Sequence, residues 1–129
     1  MKITLIVGLP GSGKTYLAKS LKDNKSMLID DIKHTDQLID KGLDLIITDP
    51  YFCYSETRDK CIEVLNSKFN NPEIIWIYFE NNLEKALNNI RHRKRRGDGR
   101  NTESFAEHLS LMYKIPSGVE PLVIWQKDK

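Results

Sequence analysis

The 129-residue sequence suits one domain with a single core. Hydrophobic residues make up 40% of it and charged residues 29%, which is ordinary for a water-soluble domain, and no apolar run approaches the ~18 residues of a membrane helix. We therefore expect no membrane partner, and because the short apolar start leads into a glycine-rich loop rather than a signal-peptide pattern, we expect a cytoplasmic protein.

Five short apolar runs rich in β-branched residues predict five strands, at residues 3–7, 27–29, 45–48, 74–79 and 122–125. Because the runs are continuous rather than alternating, they are typical of a parallel sheet covered on both faces. The stretches between them have helical spacing, most clearly at Leu83, Ala86, Leu87 and Ile90, and a last helix is predicted to start with a capping box at Ser104. Alternating strands and helices indicate an α/β fold.

Residues 8–15, Gly-Leu-Pro-Gly-Ser-Gly-Lys-Thr, match G-x-x-x-x-G-K-[ST] between a predicted strand and a predicted helix. In such a P-loop the glycines let backbone N–H groups face phosphate oxygens. Lys14 is predicted to reach the β- and γ-phosphates of ATP and to act in catalysis, and the Thr15 hydroxyl to bind Mg²⁺. The residues that we assign to ATP are Gly8, Pro10, Gly11, Ser12, Gly13, Lys14 and Thr15. A chance glycine-rich turn is the alternative, and the strand–loop–helix context weighs against it.

Acidic residues end two of the predicted strands. Asp49 closes the third strand, where an aspartate helps to hold magnesium in P-loop proteins; its alternative role is to turn the chain before Pro50. Asp30 and Asp31 follow the second strand, at the sheet edge where ligands of α/β proteins bind. We predict that Asp30 accepts the proton of an attacking hydroxyl and that Asp31 contacts the acceptor. The alternative for this pair is to cap a following helix.

The net charge of +2 hides a basic segment, since residues 91–100 contain six basic residues and one acid. We predict that residues 91–101 form a lid over ATP, because the planar fork of arginine pairs well with phosphate oxygens. One or two of the arginines would contact the transferring phosphoryl group, and spacing alone does not assign which. The alternative is a solvated charged face, which so dense a cluster disfavours without an anionic partner.

Together these pieces resemble the kinase domain of bacteriophage polynucleotide kinases and the wider group of zeta-toxin-like P-loop kinases. The shared segments, in the family's order, are residues 8–15, 29–33, 46–49, the lid and residues 109–114. The resemblance implies a three-layer P-loop kinase fold, with helices flanking a five-stranded parallel sheet in the order 2-3-1-4-5. It also implies that Asp30 is the general base for a 5′-hydroxyl, that Lys33 replaces an arginine contacting the acceptor, and that Asp49 is an acid near the active site. One of Arg93, Arg95 or Arg96 would be the lid arginine on the transferring phosphoryl group, and Arg91 is a candidate for ATP binding.

The sequence thus predicts a single-domain kinase, dependent on ATP and Mg²⁺, that phosphorylates a hydroxyl of a nucleic acid, either a polynucleotide 5′-hydroxyl or a hydroxyl on a modified base. The basic lid suits a nucleic-acid backbone, and Tyr51 is a candidate for stacking on an acceptor base, with ordinary packing as its alternative. If the protein is viral, the host cytoplasm is expected. A nucleotide, nucleoside or small-metabolite kinase and an ATPase without an acceptor are the other functions left open.

Overall fold

The computed structural model describes residues 1–93 and 102–126, along which strands alternate with helices. The strands are β1 (Lys2–Val7), β2 (Ser26–Asp30), β3 (Asp44–Thr48) and β4 (Glu73–Tyr78), and the helices are α1 (Lys14–Leu21), α2 (Ser55–Lys68), α3 (Leu83–Arg93) and α4 (Thr102–Met112), with 3-10 turns at Thr35–Gln37 and Pro50–Cys53. The α/β class is therefore confirmed, and the first four strands lie where the apolar runs predict them.

The sheet is parallel, with the strand order β2-β3-β1-β4. Residues 5–7 of the central strand β1 are completely buried, which explains its continuous apolar sequence. The register sets Asp30 opposite Thr48 and Thr48 opposite Ile6. The carboxyl ends of β2, β3 and β1 therefore meet at one edge of the sheet, and the loop that carries the glycines begins there.

The predicted fifth strand at residues 122–125 is wrong, because the sheet that residues 1–93 and 102–126 form has four strands. Leu122 makes one parallel bridge, to Phe79: its N–H donates to the Tyr78 carbonyl and its carbonyl accepts from the Glu80 N–H, both at 2.8 Å. The ladder ends there because the Ile124 N–H donates to the Glu80 side chain, at 2.8 Å, instead of to a backbone carbonyl. A side chain thus replaces the strand pairing that residues 122–125 were expected to continue.

Helices α3 and α4 pack against each other. Ala86 and Ile90 of the predicted α3 stripe are completely buried, as are Ala106 and Leu109 of α4. The predicted start of α4 is wrong, because the chain is already helical at Thr102 and Ser104 lies inside the helix rather than capping it. Among residues 1–93 and 102–126, none of the helices combines the length and apolar character that crossing a membrane requires.

Candidate active site

The loop between β1 and α1 turns sharply and packs directly on α3. The backbone has positive φ angles at Gly11 (86°) and Gly13 (101°), which residues with a side chain rarely adopt. A Cβ atom at Gly11 would also lie 2.4 Å from the Ala86 carbonyl oxygen of α3. The Ser12 N–H donates to the Leu9 carbonyl at 3.0 Å and closes the turn. Both glycines are therefore required by the shape of the loop.

The interior of this loop suits an anion. Gly13 caps α1 without a side-chain hydrogen bond, so the first N–H groups of the helix have no side-chain partner there. Gly8 and Pro10 are buried, and a Cβ at Gly8 would lie 2.4 Å from Ser12 Oγ. Ser12 Oγ is itself buried without a hydrogen-bond partner among the described residues. Because buried hydroxyls are normally hydrogen-bonded, this atom is suited to a phosphate oxygen.

Lys14 is a buried cation whose amino group is held by a carbonyl. Only 9% of the residue is exposed, and its Nζ donates to the Leu9 carbonyl at 3.3 Å. In the part of the chain that the structure describes, no carboxylate lies within ion-pair distance of this Nζ. Burial lowers the pKa of Lys14, and the nearby Asp31 and Asp30 oppose that effect. A buried ammonium group without an ion-pair partner is suited to bind an anion.

Thr15, Asp30 and Thr48 form a chain of side chains at the sheet edge. Thr15 Oγ1 lies 3.4 Å from both carboxylate oxygens of Asp30, and Thr48 Oγ1 donates to Asp30 Oδ1 at 2.5 Å. The strand register explains the second contact, since Asp30 and Thr48 are partners in the β2–β3 ladder. The structure therefore brings the predicted Mg²⁺ hydroxyl and the predicted general base together. Thr48 was not predicted, although it directly precedes Asp49.

Asp49 holds two neighbouring loops. It is 7% exposed, and its Oδ2 accepts from the Ile32 N–H at 3.0 Å while its Oδ1 accepts from the Tyr51 N–H at 2.9 Å. It also caps the 3-10 turn Pro50–Cys53, which was the alternative reading of this residue. The carboxylate thus fixes the loop after Asp31 against the start of that turn. Each oxygen keeps a further lone pair for a metal or a ligand.

Asp31 adopts a left-handed backbone conformation, with φ of 66°, and its N–H donates to the Thr48 carbonyl at 2.7 Å. Burial, followed by the charges of Asp30 and Asp49, raises the pKa of Asp31, and the charge of Lys33 acts in the opposite direction. The predicted acceptor residues Asp31 and Lys33 are therefore near each other beside the Asp30 carboxylate. A strained, charge-crowded aspartate at this edge is typical of a functional site.

Oxygen donors are the ligands that Mg²⁺ prefers, and the predicted metal residues Thr15 and Asp49 both carry side-chain oxygens. Within the described ranges, no group of three or more His, Cys, Asp or Glu residues lies close enough to hold a metal alone. The residues present therefore fit a Mg²⁺ ion that takes most of its other ligands from water and nucleotide phosphates.

The structure describes part of the predicted lid. Arg91 and Arg93 belong to the last turn of α3, whereas Arg95 and Arg96 lie outside the described residues. The charge of Arg93 adds a small contribution to the lowering of the Lys14 pKa, after that of burial. Arg91 Nε donates to Glu103 Oε1 at 2.9 Å and so links α3 to α4 rather than contacting the loop.

Tyr51 is half-exposed and belongs to an aromatic group, with its ring centroid 5.4 Å from that of Phe105 and 6.3 Å from that of Tyr54. These contacts are consistent with ordinary packing of one ring face. The exposed part of the ring remains accessible to a ligand.

Asn89 is a site residue that sequence reasoning missed. Its Nδ2 donates to the Gly11 carbonyl at 3.0 Å and to the Trp125 carbonyl at 2.8 Å, and its Oδ1 accepts from Gln126 at 3.2 Å. This amide joins the loop, α3 and the C-terminal segment. An asparagine on the polar side of a helical stripe gives no signal of such a role.

Arg58 was also missed. This buried residue donates to the Phe52 carbonyl at 2.7 Å and to the Lys114 carbonyl at 3.1 Å, with its guanidinium 5.5 Å from the Tyr78 ring centroid. It ties the turn after Asp49 to the segment after α4. In the sequence it is one basic residue of a polar helix, so nothing marks it as buried.

Comparisons with known proteins give one distant relative. No protein-family model matches the chain. The chain is 28% identical over 100 residues, covering 71% of this chain and 72% of the other, to the uncharacterized protein R277 of Acanthamoeba polyphaga mimivirus. This similarity carries no activity with it.

Proposed function

We propose that the protein is an ATP-dependent P-loop kinase that transfers the γ-phosphate to a hydroxyl of a nucleic acid. The observation that carries the proposal is the buried Lys14, whose Nζ is held by a backbone carbonyl inside a loop bearing an unpartnered Ser12 hydroxyl. Such a site favours an anion with several oxygens. The loop sequence and the resemblance to polynucleotide kinases favour the ATP phosphates as that anion.

Each residue then has a role set by its contacts. Lys14 neutralises charge on the β- and γ-phosphates, and Thr15 and Asp49 are the candidates to hold Mg²⁺, which supplies further charge neutralisation when bound. Thr48 fixes Oδ1 of Asp30 and leaves Oδ2 to accept the proton of the acceptor hydroxyl. Because Asp30 lies beside Thr15, the hydroxyl that it orients is brought close to the transferring phosphate.

The last turn of α3 carries the positively charged Arg91 and Arg93. Arg93, whose charge acts on Lys14, is the described candidate to stabilise the transferring phosphoryl group. Arg95 and Arg96 remain candidates for the same role. Arg91 instead keeps α3 and α4 together through Glu103.

A kinase for a nucleoside or another small molecule is the second candidate. A cleft of about 440 Å³ beside Asp49 favours it, since this volume suits a small acceptor. An ATPase without an acceptor is a third possibility, which the same assay addresses.

The test is to incubate the protein with γ-labelled ATP and a panel of acceptors. The panel contains 5′-hydroxyl single strands of DNA and RNA, duplexes with and without hydroxymethylated bases, nucleosides and nucleotides. We expect label on a nucleic-acid acceptor. Label on free nucleosides alone would favour the small-molecule kinase, and release of labelled phosphate with no labelled acceptor would favour the ATPase.

A further inference from the structure

The cleft beside Asp49 is lined by residues of the two 3-10 turns and of α2. Ile32, Leu38, Phe52 and Val64 make its wall mainly apolar, and its volume of about 440 Å³ lies within the ~300–1,000 Å³ of small-molecule sites. A cleft of this size has room for a planar ring system.

The cleft is connected to the carboxylates of the candidate active site. Asp49 and Ile32 both line it, and Asp49 Oδ2 accepts from the Ile32 N–H at 3.0 Å. Ile32 directly follows Asp31, and the preceding residue, Asp30, contacts Thr15. A ring bound in the cleft therefore has its nearest substituents beside the acids that we assign to the acceptor hydroxyl.

The charges in the cleft indicate which part of an acceptor it takes. Asp49 and Lys60 both line the cleft, and the Lys60 side chain is exposed, so that its charge is solvated. Each Asp49 oxygen already accepts one backbone N–H and keeps a further lone pair. One of these lone pairs can face Mg²⁺ while another accepts a hydrogen bond from an N–H donor in the cleft. The cleft is thus suited to an uncharged ring that carries an amino group.

We propose that this cleft binds the nucleobase of the acceptor and prefers a base with an exocyclic amine, such as cytosine. The base packs on Ile32, Leu38 and Val64, and its amine donates to Asp49, as carboxylates do to the cytosine amine in nucleic-acid recognition. This inference rests on the proposed kinase function. The same chemistry serves the end of a strand and a free nucleoside.

The experiment compares acceptor KM values for 5′-hydroxyl oligonucleotides that differ only in their first residue, which is cytidine, uridine or an abasic sugar. Free cytidine is tested as a separate acceptor. Val64→Trp fills the cleft from α2, and Glu63→Trp is the matched control on the neighbouring exposed position outside it. We expect the wild-type KM to be about tenfold lower for cytidine than for the abasic end. Val64→Trp should remove that difference and leave the abasic KM and the ATP KM unchanged, whereas Glu63→Trp should keep it.

Equal wild-type KM values for cytidine and abasic ends would overturn the inference while leaving the kinase intact. If no acceptor is phosphorylated, the kinase proposal fails. Calorimetry with free cytidine then tests separately whether the cleft binds a nucleobase. If the wild-type protein binds cytidine and Val64→Trp abolishes that binding, the assignment of the cleft as a nucleobase site is supported. If the wild-type protein does not bind cytidine, that assignment is overturned. If Val64→Trp does not fold, Thr35→Trp fills the cleft from an exposed position on its opposite wall.

Discussion

The Thr15 hydroxyl at the start of α1 lies 3.4 Å from both carboxylate oxygens of Asp30 at the end of β2. Thr48 holds the same carboxylate from the neighbouring strand β3. The loop that we assign to ATP and the acid that we assign to the acceptor are therefore in direct contact. In the proposed reaction, the acceptor hydroxyl at Asp30 lies beside the phosphates that the loop binds.

Asp30→Asn should lower the rate of phosphate transfer by about 10²–10⁴-fold, because the amide has nearly the same shape but cannot accept the proton. The affinity for ATP with Mg²⁺ should change little. Steady-state kinetics at several Mg²⁺ concentrations measure both, with Asp36→Asn at an exposed position as the control. A shift of the Mg²⁺ dependence with no loss of rate at saturating Mg²⁺ would instead assign Asp30 to the metal.

Asp49→Asn should destabilise the protein by about 1 kcal/mol, since a part-buried hydrogen bond to a backbone N–H is lost. Asparagine has one side-chain oxygen, so it cannot accept from both the Ile32 and the Tyr51 N–H groups. Urea unfolding measures the loss. We also expect a higher Mg²⁺ concentration for half-maximal rate, and an unchanged free energy of unfolding would show that Asp49 does not hold these loops.

Asp31→Asn should raise the Tm at pH 7. The pKa of Asp31 is raised by burial and by the charges of Asp30 and Asp49, so its ionised form opposes folding above that pKa. Asparagine removes the charge and tolerates the left-handed conformation. The side chain is exposed enough for solvent to screen it, so we expect a small gain.

The gain from Asp31→Asn should shrink as the pH falls toward ~4, where an aspartate becomes protonated in the unfolded chain as well. Thermal unfolding of both proteins across this pH range measures it. A gain that is independent of pH would assign the effect to the backbone rather than to the carboxylate.

Asn89→Ala should weaken ATP binding by about three- to tenfold, the effect of about one hydrogen bond, because the Gly11 carbonyl loses its side-chain donor. Asn88→Ala is a close control: Asn88 lies on the same helix and contacts Gln126 at 3.2 Å, as Asn89 does. Fluorescent-nucleotide titration compares the two. Equal losses would mean that the C-terminal segment, and not the loop contact, controls affinity.

The sequence predicts that the loop and Asp30 lie at the same edge of the sheet, because parallel strands bring their carboxyl ends together there. It does not predict the contact between Thr15 and Asp30. It does not predict the fifth strand correctly, since an apolar run at residues 122–125 cannot show that the Glu80 side chain will take the Ile124 N–H. The hydrogen bond from Asn89 to Gly11 and the cleft beside Asp49 likewise depend on how distant segments pack. Local spacing carries no information about them.

The central claim is tested most directly by transfer of label from γ-labelled ATP to a 5′-hydroxyl oligonucleotide. The transfer rate is compared between wild type, Lys14→Ala and Lys19→Ala. Lys14 is the buried first residue of α1, whereas Lys19 is exposed on the same helix. We predict labelled oligonucleotide with the wild type and Lys19→Ala, and a rate lower by about 10²–10³-fold with Lys14→Ala, which lacks the charge on the phosphates. Equal rates for Lys14→Ala and the wild type, or no labelled oligonucleotide with the wild type, would contradict the account.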